Sequence, residues 1–175
     1  EDMIDVGLLG DAVICHHETR VGNANAKING YSMPDDGGEV TLIVSVAAAD
    51  DKGDAKPPPP GDVRKAVSGA CHMFRGARRG MHDGMEGSSD RRDMMERIHA
   101  EGANLELLRI LVVVNGASIK AQEFELAEDL PRTLVDVWDL ERLYRAASSG
   151  LAYESLEVDV TTLLGAPLPC LVGPD

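Results

Sequence analysis

The stretch Leu105 to Val114 constrains this fold more than any other part of the chain. From Ile110 to Val114 its residues are all apolar and do not alternate with polar ones. A strand with one wet face alternates, because successive side chains point to opposite faces. A run that is apolar on both faces belongs inside a sheet covered on both sides, as in parallel or mixed sheets crossed by helices. Neither this run nor any other approaches the roughly 20 apolar residues that a membrane-spanning helix requires.

The remaining pattern supplies partners for that strand. Met3, Ile4, Val6, Leu8 and Leu9 predict the tail of a helix ending near Gly10. Ala12 to Glu18 predicts a short strand, and the Gly- and Asn-containing stretch from Arg20 to Asn25 a turn. Residues 26–33 alternate, with Ala26, Ile28, Gly30 and Ser32 on one face and Lys27, Asn29, Tyr31 and Met33 on the other. Pro34-Asp35-Asp36-Gly37-Gly38 is a hairpin signal, followed by the β-branched third strand Glu39 to Ala48. Residues 49–61 form a Pro-rich loop whose run Pro57 to Pro60 favours an extended spacer.

Two helices are expected next. The first spans 62–80, capped by Asp62, with Val63, Ala66, Val67, Ala70, Cys71 and Phe74 on one face. The second spans 90–100, with Met94, Met95 and Ile98 inward. After the buried strand, Asn115-Gly116 closes it and residues 117–130 are ambiguous. Thr133 to Trp138 predicts another strand, and Asp139 caps a helix over 140–149 with Leu140, Leu143 and Ala147 inward. Leu156 to Val160 alternates as a last strand. The order implies an α/β chain: one domain over 1–175, with a mixed β-sheet flanked by helices.

Charge restricts partners. Lys and Arg number 17 against 30 Asp and Glu, a net charge of −13, so phosphate is repelled on average. Aromatics are 3 % of residues, which argues for an aliphatic core and against base-stacking platforms. Cys15, Cys71 and Cys170 are odd in number and far apart, as for buried, reduced thiols in a cytoplasmic protein. No signal peptide is evident, and a chain beginning at Glu1 reads as a piece of a longer protein.

Two segments carry a resemblance. Val137-Trp138-Asp139-Leu140-Glu141-Arg142-Leu143-Tyr144-Arg145 is the more specific. Leu156 to Val160, followed by Pro167-Leu168-Pro169-Cys170-Leu171, is the other, and the Asn29-Gly30-Tyr31 strand with its hairpin adds to both. Together they resemble the N-terminal region of the bacterial AIPR family, the abortive-infection phage-resistance proteins. The resemblance implies a role in anti-phage defence and a C-terminal remainder as partner, with Trp138, Asp139, Arg142 and Tyr144 as the family motif.

The order helix–β–β–β–helix–β is also similar to the restriction-endonuclease-like core (αβββαβ). That core needs an acid on its second strand and acid-x-Lys on its third, converging on Mg²⁺ and the scissile phosphate. Here the second strand offers Asn29. The third reads Leu42 to Ala47, with Ser45 and Ala47 at the relevant positions and neither acid nor lysine between. A neutral amide holds Mg²⁺ far more weakly than a carboxylate, so the core reads as degenerate, with no catalytic residue, metal or cofactor. Mg²⁺ enters only on the alternative reading of a metal-dependent nuclease with displaced acids such as Glu18, Asp35 or Asp36.

Other clusters have plainer explanations. Asp35, Asp36 and Glu39 fit a solvated acidic turn, and Asp50, Asp51 and Lys52 fall in the loop. His16 and His17 are adjacent on a strand, so one points inward and one outward; with Glu18 they are an acid–base candidate only. Arg75, Arg78 and Arg79, with His82, Arg91 and Arg92, are a basic cluster in an acidic chain. They could contact DNA or RNA phosphates, or pair with acidic neighbours at a helix C-terminus. A homodimer and a pure protein-interaction module complete the readings.

Overall fold

The computed structural model describes residues 9–22, 24–35, 37–48, 56–85, 89–116 and 123–148. They form a five-stranded mixed sheet of order β1-β2-β3-β4-β5. The strands are β1 (Ala12–Val21), β2 (Ala24–Ser32), β3 (Glu39–Val46), β4 (Leu107–Val114) and β5 (Arg132–Trp138). The first three are an antiparallel meander, and β4 and β5 run parallel to β3. Helices α1 (Pro60–Arg78) and α2 (Asp90–Glu101) make the crossover from β3 to β4, and α3 (Leu140–Ser148) follows β5. The non-alternating run becomes β4, paired on both edges, with Leu108, Ile110, Leu111, Val112 and Val114 buried.

The core lies between the sheet and α1 and α2. Val40, Leu42, Val44 and Val46 alternate toward it from β3, and Val63, Val67, Met73 and Phe74 answer from α1. Met94, Met95 and Ile98 close it from α2. The amphipathic spacing read from the sequence is therefore what seats both helices. Asn115 joins the ends of two strands, its side-chain Oδ1 accepting from the Ala48 amide at 2.6 Å.

Several boundaries differ from expectation, each for a local reason. The turn at 20–25 is narrower, because β1 continues to Val21 and β2 resumes at Ala24. β3 ends at Val46, so Ala47 lies just past it. Asp62 is not the cap of α1. The helix begins at Pro60, after an extended Pro59, because proline lacks an N–H and is pre-set in φ for the first helical turn. The helix stops at Arg78, and Gly80 turns the chain away with φ 82°, a conformation L side chains resist. Ser89 caps α2 by accepting from the Arg92 amide. The single face expected for β2 breaks at Asn29-Gly30: Ile28 stands opposite His17, while Tyr31 stands opposite both Val13 and Leu42. Leu140, expected inward, is 42 % exposed. The helix over 1–10, most of the Pro-rich loop, the side chain of Ala147 and the strand at 156–160 fall outside what is described, apart from Leu9, Gly10 and the end of that loop.

Candidate functional site

The register of β1 against β2 slips between Ile14 and His17, so that Cys15 and His16 together face Asn29. This is a β-bulge, the kind of irregularity that re-aims side chains. β2 and β3 keep direct pairing only from Ser32–Thr41 to Gly30–Ile43, then part. Asn29 fills the gap. Its Oδ1 accepts from the Ser45 amide at 2.8 Å, and its Nδ2 lies 3.3 Å from His16 Nδ1. One amide thus ties three strands. Ser45 is exposed beside it, between buried Val44 and Val46, so this cluster is on the sheet face opposite α1. Ala47 is exposed beyond the strand end.

The two histidines divide as expected: His16 is exposed and His17 is 8 % exposed on the helix side. His17 Nδ1 is buried with no hydrogen-bond partner among the described residues. Burial, then the neighbouring Arg91 and His16, push its pKa down. Burial likewise pushes the Cys15 and Cys71 thiols up. Both are free and buried thiols, and Cys170 falls outside the described residues.

Acids do not gather near Asn29. Glu18 is exposed opposite Lys27 on β2, whereas Asp35 sits past the other end of that strand, 3.9 Å from Arg97. Glu39 pairs with Arg109 across β3 and β4 at 3.5 Å. Among the described residues no group of three or more His, Cys, Asp and Glu is placed to hold a metal. Asp36, Asp50, Asp51 and Lys52 fall outside those residues.

The basic cluster is partly neutralised. Arg75 donates from Nε to Asp129 at 2.9 Å and from its second nitrogen to the other carboxylate oxygen, a bidentate pair. The hydrogen bond to Arg75 holds the Asp129 carboxyl below the usual range. Arg78 lies 5.9 Å over the Phe74 ring, and the His99 ring nitrogen Nδ1 reaches its carbonyl at 3.0 Å. Arg79 caps the helix through backbone bonds. Arg92 pairs with Glu96 and donates to the Met85 carbonyl. Arg78, Arg79 and Arg91 are therefore the exposed remainder of the cluster.

The Trp-Asp motif is a strand-to-helix corner. Asp139 is buried and caps α3, its Oδ1 accepting from the Arg142 amide at 2.8 Å. Arg142 stacks 4.2 Å over the Trp138 ring and donates to the Asp136 carboxylate at 2.7 Å and to the Val137 carbonyl at 2.9 Å. The other oxygen of Asp136 accepts from the Trp138 indole N–H at 2.9 Å. Trp138, Asp139 and Arg142 thus meet in one hydrogen-bonded corner, and Asp136, one residue before the recognised segment, closes the clasp. Its placement two residues before Trp138, on the same strand face, was the available signal. Tyr144 stands apart, 72 % exposed.

Sequence reading also missed a groove between α1 and residues 123–130. Arg64, Ser68, His72 and Arg75 line one wall at helical spacing. Glu123, Phe124, Glu125, Leu126, Ala127 and Leu130 line the other. The helical repeat 64, 68, 72, 75 was legible, but its facing wall lies in the segment whose pattern was ambiguous.

No curated protein and no solved structure matches the chain. The model of one family does match, over residues 1–145: the abortive infection phage resistance protein N-terminal domain. That span covers the meander, the crossover helices, both parallel strands and the whole Trp138–Arg142 corner, and the chain belongs to this family.

Proposed function

We propose that the chain is a non-catalytic, restriction-endonuclease-like N-terminal domain of an anti-phage abortive-infection protein, which serves assembly, sensing or nucleic-acid docking. The fold part is supported by the order of elements: three hairpin-linked strands, a helical crossover, and a fourth strand parallel to the third. The observation that carries the non-catalytic part is the engagement of Asn29. Its carbonyl oxygen, the atom a metal would take, already accepts from the Ser45 amide, and its nitrogen faces His16. A site built this way is a structural stitch between strands.

The nuclease alternative draws its acids from places such as Glu18, Asp35 or Asp36, and Glu18 and Asp35 do not converge. They lie beyond opposite ends of the segment Lys27–Ser32, which at about 3.4 Å per residue is roughly 17 Å long. Docking of nucleic acid would rest on Arg78 and Arg79, on the helix side of the sheet. The test is a cleavage assay with Mg²⁺ and with Mn²⁺ on plasmid, single-stranded DNA and RNA, alongside a low-salt retention assay. No turnover is expected, and Asn29→Asp alone is expected to restore none. Metal-dependent cleavage lost in Glu18→Gln or Asp35→Asn would refute the non-catalytic reading. Retention unchanged in Arg78→Glu with Arg79→Glu would refute docking and favour a protein-interaction module.

A further inference from the structure

We infer that the groove between α1 and residues 123–130 is a binding site for a nucleoside monophosphate. The cavity is about 470 Å³, within the range of about 300–1,000 Å³ typical of small-molecule sites. Its floor is apolar, made by buried Val67 and Cys71 with half-buried Phe124 and Leu126. Its walls carry opposite charge. Arg64 and His72, with the Ser68 hydroxyl between them, line the helix side, and Glu123 and Glu125 line the other.

These walls face one another without closing. Arg75 is satisfied by Asp129, but among the described residues Arg64, Glu123 and Glu125 form no ion pair. A ligand that fits must therefore be bipolar: an anionic end for Arg64, Ser68 and His72, and hydrogen-bond donors for the carboxylates. It must also carry a flat or apolar middle for the floor. A phosphate, the ribose hydroxyls and a base supply these three parts in one small molecule. Purely anionic ligands meet repulsion from Glu123 and Glu125, and purely apolar ones leave all five of these charged or polar wall groups unanswered.

The site goes beyond the proposed function, since α1 lies on the sheet face away from Asn29, and does not depend on it. The test is calorimetry on the whole 175-residue chain with AMP, GMP, CMP and UMP, each beside its nucleoside and beside inorganic phosphate. At least one monophosphate is expected to bind about tenfold or more tighter than either of its parts. Arg64→Gln should weaken that monophosphate by about tenfold and leave the nucleoside unchanged, while Glu125→Gln should weaken both. Both positions are exposed, so neither change threatens folding. Absence of binding at millimolar ligand, or indifference to Arg64→Gln, would overturn the proposal. So would far tighter binding of a single-stranded oligonucleotide that is abolished by Arg78→Glu with Arg79→Glu instead.

Discussion

Replacing Arg142 by alanine removes three contacts at once: the stack on Trp138, the ion pair with Asp136 and the hydrogen bond to the Val137 carbonyl. The side chains of Arg142 and Asp136 are 46 % and 39 % exposed, so each contact is screened by solvent. At that exposure a cation–π stack contributes about 0.5–1 kcal/mol. The ion pair adds about 0.2–1 kcal/mol, and the carbonyl bond up to about 1 kcal/mol. The three share one side chain and do not add fully, so Arg142→Ala is expected to cost about 1–2 kcal/mol. Trp138 is the only tryptophan and is buried in the corner, so urea unfolding followed by its fluorescence reads the site directly. Arg142→Lys keeps the charge but loses the planar face, and should retain about half of the stabilisation. Asp136→Asn removes the carboxylate's charge while leaving an acceptor for the indole. Its double-mutant cycle with Arg142→Ala should show coupling of about 0.5–1 kcal/mol. A loss below about 0.3 kcal/mol for Arg142→Ala, or coupling indistinguishable from zero, would refute the clasp as the reason for the motif.

Other expectations follow from the core and the bulge. His17 has a lowered folded pKa, so the unfolded chain binds more protons just below the ordinary imidazole value of about 6.5. Stability should therefore rise with pH through that window and fall on acidification, by at most about 1.4 kcal/mol per pH unit, and His17→Gln should flatten the slope in urea titrations at pH 5 to 8. Gly30→Ala would place a Cβ 2.8 Å from the Val13 carbonyl oxygen, forcing β1 and β2 apart at about 1–3 kcal/mol in thermal or urea unfolding. Gly61→Ala, with open space around it in the first turn of α1, should instead be neutral or stabilising by up to about 1 kcal/mol. Phe74→Ala, fully buried, should cost about 3–5 kcal/mol. Tyr144→Ala should stay within about 0.5 kcal/mol, and a larger loss there would show that Tyr144 packs in solution.

The sequence by itself determined the elements whose signals are local and periodic. The contiguous apolar run of β4, the amphipathic face of α1 and the Asp139 cap each follow from residues within a few positions of one another, which is why they were legible. So was the absence of an acid at Asn29, since residue identity needs no geometry. Tertiary structure alone decided what that amide does. The bulge that sets Cys15 and His16 against one Asn29, and the parting of β2 from β3 that leaves the Ser45 amide for it, are properties of strand register. Register depends on pairing between distant segments, which no local pattern encodes. The same holds for Arg75, drawn onto Asp129 from 54 positions away, and for the groove whose second wall comes from beyond β4. Charges that look like one cluster along the chain are sorted in space by what packs beside them.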